Sequence, residues 1–562
     1  MGGTEHCTVE RHGHTVVVTM NRPEAKNALS LPMLVGMADA WDEIDGDDDV
    51  RCAVLTGAGG AFSSGMDLKS MSGPVDEKYQ RRREADPDLH WKALLRHYHL
   101  KKPLIAAVEG FAVAGGTEIL QATDIRVAGE GATFGVFEAK RGLFPLGGST
   151  VRLRRQIPYT IAMDILLTAR PVSAREALEI GLIGRVVPDG HALDAVQHHA
   201  LALQRTLDDC GLAKREIDGY VSAGGGGGMM IDDAVTMAEY LGIDHRWVDG
   251  TMTGGSSFEF HVQHAAAAIR QGYCDTVLIT YGSDQLSRMG RTLGTGGFAR
   301  TGQRVPGPIQ FEVPYGNSLV GAYAMVARRH MHEFGTTSEQ LAEIAVGVRE
   351  HARLNPEAMY RGPLTADDVV NSRLIADPLH KLDCCVISDG GGAIVMTTAE
   401  RARDLRPPPV YVLGAAGAET HWNISQMPDY TTTAAARCGP VAFGRAGLTP
   451  ADVDTIQFYD SFTITVLLLL EDLGFCAKGE GGAFVTEGHL RRGGRLPLNT
   501  DGGGLSSCHP GMRGIFLLIE AARQLRGQGG EAQVPDCALA LACGSGGWLS
   551  CIGTVILGKE EP

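Results

Sequence analysis

The sequence predicts an α/β protein of two units, and three observations lead to that prediction. The chain has 562 residues, whereas a single domain holds roughly 100–200 residues. Strand-like and helix-like segments alternate through the first third of the chain, which is typical of stacked turns of a β/α superhelix. Related patterns recur in the remainder, which indicates a duplicated, layered α/β core. We therefore predict one unit at residues 1–190 and a second at residues 191–562.

The composition is that of an ordinary globular protein, and the charge excludes several functional classes. Hydrophobic residues make up 44% of the chain and charged residues 21%. The net charge of −15 argues against a nucleic-acid or membrane-surface role. The first residues do not show the basic segment followed by an apolar run that is typical of a signal peptide. No stretch reaches the roughly eighteen apolar residues of a membrane span. We expect a cytoplasmic protein.

The 12 cysteines do not form a recognisable site. They are scattered singly, apart from the adjacent Cys384 and Cys385, without a CxxC pair or a His/Cys cluster at metal-binding spacing. In a cytoplasmic protein such cysteines are expected to be reduced thiols. The sequence therefore predicts no metal site.

Strands and helices alternate along the first unit. In chain order, the predicted elements are a strand at 14–20, an amphipathic helix at 31–44, strands at 51–57 and 103–110, a glycine-led helix from Gly115 and a strand at 123–129. Two carboxylates stand out among them. Glu118 follows two glycines at the start of the predicted helix, and Glu138 lies in the later segment TFGVFEAKRG (133–142). A single acidic residue there could simply complement the helix macrodipole, but a pair favours acid/base chemistry.

Four segments in the first unit resemble the crotonase family of enoyl-CoA hydratases and isomerases. They are FSSGMDL (62–68), AAVEGFAVAGGTE (106–118), FGVFEAKRGLFPLGGS (134–149) and LTARPVSAREALEIGLIGRVVPDG (167–190). The resemblance implies a crotonase-type ββα superhelix and a 2-enoyl-CoA thioester substrate. Coenzyme A is then part of the substrate, and no separate cofactor is expected.

The crotonase resemblance also implies roles for four residues. The backbone amides of Met66 and Gly115 would hold the thioester oxygen, since an enolate develops there and needs preorganised N–H donors. Glu118 and Glu138 match the two family glutamates that position and deprotonate water and deliver a proton to the α-carbon.

The second unit repeats itself. GLAKREIDGYVSAG (211–224) is related to GLTPADVDTIQFYDSF (447–462), and HAAAAIRQG (264–272) is related to IEAARQLRG (519–527). Each half therefore carries the same succession of a strand and an apolar helix that ends in Arg and Gly. This indicates two similar α/β halves.

The second unit resembles the thiolase superfamily, in particular its sterol-carrier or lipid-transfer branch. The segments that carry the resemblance are LDCCVISDGGGAIV (382–395), YDSFT (459–463), NTDGGGLSSCHPG (499–511) and CGSGGWLSCIGTVIL (543–557). The resemblance implies a duplicated αβαβα layered domain. The strand that usually precedes the first helix is either missing or borrowed from GLIGRVV (181–187).

The nucleophilic cysteine of ordinary thiolases is absent. Acyl transfer in that family needs a thiolate at a helix N-terminus, yet the corresponding turn here reads TMTGGSSFEFHV (251–262). The cysteine position falls at Gly255 or Ser256. Ser256 is a possible acyl nucleophile, although nothing nearby in the sequence identifies its base. Cys508 and Cys543 lie away from this turn.

Two residues of the second unit are candidates for a different chemistry. Thiolase-like proteins without the cysteine include retro-aldolases of 3-hydroxyacyl-CoA that use tyrosine as acid or base, and YDSFT with LEDLGFCAKGEGG (470–482) resembles them. The resemblance places Tyr459 at the asparagine or histidine motif of thiolases, and His509 at the histidine that helps bind the thioester oxygen. Some of these aldolases have a second tyrosine where His509 stands. Without the resemblance, Tyr459 could be a buried phenol bonded to backbone, and His509 a core histidine at a helix start.

The favoured function is a bifunctional enzyme that degrades a branched or steroid-like acyl chain. Hydration of a 2-enoyl-CoA gives a 3-hydroxyacyl-CoA, which is the compound that a retro-aldolase cleaves. Two alternatives stay open: a hydratase fused to a thiolase-type acetyl-CoA acyltransferase, or to a non-catalytic lipid or acyl-CoA binding module. Expected partners are acyl-CoA thioesters, further copies of the chain in a homo-oligomer, and a small OB-fold/zinc-ribbon subunit.

Overall fold

The computed structural model describes residues 3–12, 15–50, 52–67, 76–187, 189–190, 192–193, 205–223, 233–283, 285–286, 308–316 and 318–561. The chain divides into two compact units, Met1–Gln204 with Glu239–Gly242, and Arg205–Ala238 with Ile243–Pro562. The boundary predicted at residue 190 stays a prediction, because residues 191 and 194–204 beside it lie outside the described set. The sequence also predicts a helix at HALDAVQHHALALQRTLDDCGL (191–212), at the start of the second unit, and most of these residues lie outside the described set.

The first unit is built on two sheets. Its strands are β1 (Cys7–His12), β2 (Thr15–Met20), β3 (Cys52–Gly57), β4 (Leu104–Val108), β5 (Phe111–Val113), β6 (Ile125–Gly129), β7 (Thr133–Gly135), β8 (Val172–Ser173) and β9 (Arg185–Val187). The main sheet has the order β1-β2-β3-β4-β6-β9, and all its pairs except β1 with β2 are parallel. The second sheet has the order β5-β7-β8. The predicted strands at 14–20, 51–57, 103–110 and 123–129 are confirmed.

Successive turns of the chain stack beside the second sheet, which confirms the superhelix. Parallel bridges join Leu29 to Met66 and Ser63 to Ala112, and β5 then pairs in parallel with β7. Each bridge links one turn of the chain to the next. The glycine-rich turns at Gly65 and Gly115 are thereby brought to neighbouring levels of the stack.

Helices cover the sheets of the first unit. They span Leu31–Gly46, Glu77–Ala85, Leu89–Ala93, Gly115–Leu120, Ser149–Gln156, Tyr159–Thr168 and Ala174–Glu179. The first begins at Ser30, whose hydroxyl accepts the Met33 amide at 3.4 Å, and it has Pro32 in its first turn. Its fully buried Trp41 donates to the Ala93 carbonyl at 3.1 Å.

The described part of the second unit contains two four-stranded sheets and one small hairpin. Its strands are β10 (Gly219–Ser222), β11 (Trp247–Asp249), β12 (Thr276–Ser283), β13 (Leu374–Ala376), β14 (Leu379–His380), β15 (Gly390–Thr397), β16 (Tyr411–Glu419), β17 (Thr455–Phe458), β18 (Leu539–Gly546) and β19 (Cys551–Gly558). The four-stranded sheets have the orders β11-β10-β12-β15 and β16-β19-β18-β17, and β13 pairs with β14.

The predicted duplication is visible in the strand directions. In the first half β10 runs parallel to β12, which is antiparallel to β15, and β17, β18 and β19 repeat this arrangement in the second half. The second half adds β16 next to β19, whereas the described part of the first half has no equivalent strand. The proposal that residues 181–187 supply that strand is wrong, because β9 within them pairs with β6 of the first unit.

A layer of helices lies between the two large sheets. The helices that follow residue 205 span Asp233–Leu241, Ser257–Arg270, Leu319–Phe334, Ser338–Ala352, Ala366–Val370, Ala399–Ala402, Ala435–Ala446, Thr463–Asp472, Gly481–Thr486 and Gly514–Leu525. The helices Ser257–Arg270 and Gly514–Leu525 share one core cluster with strands of both sheets. They are the two helices that the repeated sequence pattern predicts. Within the described ranges, no helix has the length and apolar character needed to cross a bilayer.

Candidate active sites

The two predicted oxyanion amides lie next to each other in the first unit. A β-carbon placed on Gly115 would stand 3.6 Å from the Met66 nitrogen, and one placed on Gly65 would stand 3.0 Å from the Gly115 nitrogen. Gly65 has a φ of 89° and no room for a side chain, since its β-carbon would lie 2.8 Å from that of Ala114. The Leu29 amide holds this turn by donating to the Gly65 carbonyl at 2.8 Å. Residue 65 must therefore be a glycine for the Met66 and Gly115 amides to lie next to each other.

Ala114 sets the direction of the second amide at a conformational cost. Its φ of 50° and ψ of −124° belong to a region that favours glycine. Its own amide donates to the Gly135 carbonyl at 2.8 Å, which fixes the turn before the helix Gly115–Leu120. Strain of this kind is typical of functional turns that the surrounding structure holds in place.

We expect Gly115→Val to lower enoyl-CoA hydration by roughly 10²–10³-fold, which is the usual effect of losing one oxyanion donor. The new β-carbon would lie 3.2 Å from a methyl group of Leu29, and its two further methyls crowd the space beside the Met66 amide. Steady-state hydration kinetics measure the loss. Gly46→Val is the control, since open space surrounds Gly46. Full activity of the Gly115 variant would show that this amide is wrongly assigned.

The Glu118 carboxyl turns away from its own helix. Its side chain is 4% exposed and accepts the Ser149 amide at 3.2 Å, from the start of another helix. A residue that only complemented its own helix macrodipole would not need this partner. Burial raises the pKa of Glu118, while the Ser149 amide and the positive charge of Arg152 oppose that rise.

Glu138 faces Glu118 from the turn that follows β7. Burial and the negative charge of Glu118 raise the pKa of Glu138 to about 7. The Oε2 atom of Glu138 is buried and has no hydrogen-bond partner within the described residues. The two carboxyls thus differ in environment, since amides and a cation surround Glu118 while Glu138 has an unsatisfied oxygen. Such a pair can hold one charged and one protonated carboxyl at neutral pH.

Sequence inspection missed Arg152, which lies beside this carboxyl pair. Its guanidinium donates to the carbonyl oxygens of Glu118 and Gly147, both at 3.4 Å, and to that of Leu95. Arg154 and Arg155 lie on the same helix and are exposed. Nothing in the sequence distinguishes the three arginines, because only the folded chain brings Leu95 and Glu118 to one of them.

In the second unit, the Tyr459 ring lies against Gly255, one of the two positions that the resemblance aligns with the thiolase nucleophile. A β-carbon on Gly255 would lie 2.3 Å from the Cζ and Cε2 atoms of the Tyr459 ring. The ring therefore fills the space that a side chain at Gly255 would need. The Tyr459 hydroxyl donates to the Gly511 carbonyl at 3.3 Å, and burial raises the pKa of this phenol well above its usual value.

The neighbouring Ser256 has the contacts of a structural hydroxyl. It is fully buried, and its Oγ atom lies 3.0 Å from the Thr253 hydroxyl and 3.4 Å from the Thr253 carbonyl. No histidine or carboxylate is among its hydrogen-bond partners in the part of the chain that the structure describes. A serine nucleophile needs such a base.

We expect Gly255→Cys not to create a thiolase. The new side chain would collide with the Tyr459 ring, so the variant should lose aldol cleavage and about 1–3 kcal/mol of stability through overpacking. Thermal unfolding and an assay for CoA-dependent thiolysis test this. Gly444→Cys is the matched control, because nothing lies within 4 Å of a β-carbon there. Thiolysis with undiminished aldol cleavage would contradict the steric argument.

His509 lies beside Tyr459 and has unused hydrogen-bonding groups. The two rings meet edge to face, with centroids 5.4 Å apart. Both ring nitrogens of His509 are buried without a hydrogen-bond partner among the described residues, whereas a core histidine is normally satisfied. Burial and the nearby positive charge of Arg513 lower the pKa of His509 to about 4. The neutral imidazole thus has one N–H free to donate to a substrate oxygen.

The cysteines near this centre are not activated thiolates. Burial raises the pKa of Cys508 to about 11 and that of Cys543 well above its usual value. Cys508 accepts a hydrogen bond from Arg513 at 3.3 Å. These environments do not favour either thiol as a nucleophile.

A buried ionic network holds the loops of the second site, and the sequence did not reveal it. Arg513 donates to both oxygens of Asp501, at 2.7 and 2.6 Å, and to the Cys508 carbonyl at 2.9 Å. Its Nε atom lies 3.6 Å from Asp460, the residue after Tyr459. Arg513 therefore connects the segment that carries Tyr459 to the turn that carries His509.

Comparison with known proteins gives matches for each unit. A family model described as enoyl-CoA hydratase/isomerase matches residues 10–214, and a thiolase C-terminal domain-like model matches residues 416–559. Enoyl-CoA hydratase EchA19 of Mycobacterium tuberculosis is 60% identical over 186 residues, which cover 33% of this chain and 69% of that protein.

The second unit is similar to two aldolases. The steroid side-chain-cleaving aldolase of Thermomonospora curvata is 37% identical over 335 residues, covering 58% of this chain and 84% of that protein. The solved structure of the Ltp2-ChsH2(DUF35) aldolase is 33% identical with a TM-score of 0.57, covering 65% of this chain and 92% of that one. The chain therefore belongs to the enoyl-CoA hydratase/isomerase family through its first unit and to the family of thiolase-like aldolases through its second.

Proposed function

We propose that the two units catalyse successive steps on one acyl-CoA. The chain is a bifunctional enzyme: the first unit hydrates a 2-enoyl-CoA, and the second cleaves the resulting 3-hydroxyacyl-CoA by a retro-aldol reaction. The observation that carries the second assignment is the Tyr459 ring in the space beside Gly255. It removes the room for a cysteine acyl-enzyme and puts a phenol there instead.

The hydration step follows from the environments of the two glutamates. Glu118, as a carboxylate, takes a proton from water while the water oxygen bonds to C3 of the substrate. The electron pair of the double bond moves to the thioester oxygen, and the amides of Met66 and Gly115 stabilise that enolate. Glu138, as a protonated carboxyl, gives its proton to C2. One water molecule is added, and proton exchange with solvent resets the pair.

The hydration rate is expected to fall as pH rises through about 7, because Glu138 acts in its protonated form and its pKa is raised to about 7. Below this pH the carboxyl holds its proton and the rate is high; above it the proton is lost. The pH profile of kcat/KM for hydration, which reports the ionisable groups of the free enzyme, measures this limb. Cleavage of a supplied 3-hydroxyacyl-CoA should not share it. A hydration rate that keeps rising between pH 7 and 8.5 would refute the assignment of Glu138 as acid.

The cleavage step uses the phenol and the imidazole. The bond between C2 and C3 breaks, and its electron pair goes to the thioester as an enolate whose oxygen accepts a hydrogen bond from His509. Because burial keeps Tyr459 protonated, its phenol gives a proton to C2. As the C2–C3 bond breaks, the proton of the C3 hydroxyl passes to the same phenol oxygen, so that the C3 oxygen becomes the carbonyl of the released aldehyde or ketone and the phenol is restored. No free coenzyme A is consumed.

The contacts of Ser256 and His509 bear on the two alternatives. An acyltransferase through Ser256 needs a base, and its described partners belong to Thr253 only. A binding module without catalysis does not need an unsatisfied imidazole against a buried phenol. Both contacts therefore support the aldolase over the alternatives.

The substrate, partners and location are further parts of the proposal. The name of the Thermomonospora curvata relative supports a steroid-like acyl chain. The solved aldolase is named with a second component, which supports a separate small subunit of the OB-fold/zinc-ribbon type. Exposed apolar side chains at Leu143, Phe144 and Leu146 support a homo-oligomer. We propose a cytoplasmic location.

The full chain can be tested with a set of 2-enoyl-CoA and 3-hydroxyacyl-CoA esters, straight-chain, branched and steroid, with products identified by mass spectrometry. The proposal predicts hydrated product from enoyl esters and shortened acyl-CoA from hydroxy esters of the branched or steroid kind. Binding of these esters without any product would support the binding module instead. A pull-down from the native host and light scattering test the small subunit and the oligomer.

A further inference from the structure

Arg152 ties together three segments that surround the Glu118 carboxyl. Its guanidinium donates to the main-chain carbonyl of Glu118 itself, to that of Gly147 and to that of Leu95. Gly147 begins the short loop that ends at Ser149, whose amide donates to the Glu118 carboxyl at 3.2 Å. Arg152 thus holds both the backbone that carries the carboxyl and the loop that solvates it.

A positive charge and a second carboxyl face Glu118. Arg152 favours the carboxylate form of Glu118, and the negative charge of Glu118 in turn raises the pKa of Glu138. Glu138 has no comparable support, since its Oε2 atom lacks a hydrogen-bond partner within the described residues. The asymmetry between the two carboxyls therefore depends on groups around Glu118, and Arg152 is the positive one.

The other arginines nearby are not placed to do this. Arg154 and Arg155 of the same helix are exposed. Arg126 is held by the carbonyls of Gln121, Thr123 and Leu182 at the far end of the glycine-led helix. Arg152 alone among these four bonds to the main chain of Glu118.

We infer that Arg152 is a positioning residue that keeps Glu118 the charged base and Glu138 the proton-carrying acid of the hydration step. It acts through its charge and through the Gly147–Ser149 loop, and it does not touch the reacting atoms. The inference rests on the proposed hydratase function. Without Arg152 the proton is shared between the two carboxyls, and fewer molecules hold the productive arrangement at any pH.

The experiment compares the kcat pH profiles of hydration by the full chain and its variants Arg152→Gln, Arg152→Lys and Arg154→Gln. For Arg152→Gln we expect kcat near pH 7 to fall by roughly 10–100-fold with little change in KM. The acid limb should move to higher pH, because Glu118 is protonated more readily without the positive charge, whereas the basic limb should not move to lower pH, because the last proton of the pair is then held at least as tightly. Arg152→Lys keeps the positive charge but lacks the planar guanidinium that donates to three carbonyl oxygens. The two limbs of its pH profile should therefore stay near those of the wild type, while its rate is reduced. Arg154→Gln should match the wild type.

A loss of rate in Arg152→Gln that is the same at every pH, with both limbs of the pH profile unmoved, would overturn the inference. It would show that Arg152 has only a structural role. Cleavage of a supplied 3-hydroxyacyl-CoA checks that the remainder of the chain is folded. Should Arg152→Gln not fold, Arg152→Lys decides, since displaced limbs in a variant that retains the charge would overturn the inference. If the wild type hydrates enoyl-CoA esters and the limbs of the variant pH profiles do not move, only the role of Arg152 is rejected. Absence of wild-type hydration on every ester would overturn the proposed function and this inference together.

Discussion

Glu138→Gln is expected to lower enoyl-CoA hydration by roughly 10²–10⁴-fold, which is the range of a lost general acid. The substitution keeps the size of the side chain and most of its hydrogen-bonding capacity. It removes the proton that a raised pKa keeps on Glu138 near neutral pH. Initial rates with a 2-enoyl-CoA, followed by mass spectrometry of the hydrated ester, measure the effect.

The same variant should cleave a supplied 3-hydroxyacyl-CoA at the wild-type rate, because the second site contains none of the residues of the first. Glu130→Gln is the matched control, since Glu130 is an exposed carboxylate on the same unit. Loss of cleavage in the Glu138 variant would mean that the two centres are not independent. The division of the chain near residue 190 would then be misplaced.

Tyr459→Phe is expected to lower cleavage of 3-hydroxyacyl-CoA by roughly 10²–10⁴-fold while hydration continues. The phenylalanine ring still fills the space beside Gly255, so the packing there is preserved. Only the phenol oxygen and its hydrogen bond to the Gly511 carbonyl are lost. Supplied with a 2-enoyl-CoA, this variant should accumulate the 3-hydroxyacyl-CoA intermediate.

Tyr273→Phe serves as the control for the tyrosine variant, because Tyr273 is 62% exposed and far from His509 in sequence. Its cleavage rate should equal that of the wild type. If Tyr459→Phe also cleaves at the original rate, the phenol is structural. The serine acyltransferase and the binding module would then become the better interpretations.

The first site could be predicted because its parts are local in sequence. Gly65 and Gly115 mark turns that need glycine, and each glutamate lies in a short segment with its own pattern. The structure brings Met66 next to Gly115 and Glu118 next to Glu138, whereas the catalytic roles of these four residues stay predictions. The sequence offered no means of choosing Arg152 over Arg154 and Arg155, because the deciding contacts come from distant segments.

The second site depended more on contacts that sequence patterns do not encode. The missing cysteine left Gly255 and Ser256 as equal candidates for its position. Only the fold shows that the Tyr459 ring lies against Gly255. The ring occupies the space that a side chain at position 255 would need, so the ring can lie there only because residue 255 is a glycine. The ionic network of Arg513 with Asp460 and Asp501 was invisible for the same reason.

The strand at 181–187 shows a related limit. An apolar run with β-branched residues predicts a strand, but it does not say which sheet the strand joins. The run was assigned as a possible first strand of the second unit, whereas Arg185–Val187 pairs with β6 in the first. Pairing between strands far apart in sequence is decided by packing in the folded chain.

The coupling of hydration to retro-aldol cleavage can be measured by supplying the wild-type chain with a branched or steroid 2-enoyl-CoA in the absence of free coenzyme A. The wild-type chain is assayed alone and together with any small subunit recovered by pull-down, and the products are identified by mass spectrometry. A bifunctional hydratase and aldolase should give a shortened acyl-CoA and a carbonyl compound whose masses add up to the substrate plus one water. Cleavage that appears only after free coenzyme A is added would contradict this function, as would a hydrated ester that is never cleaved.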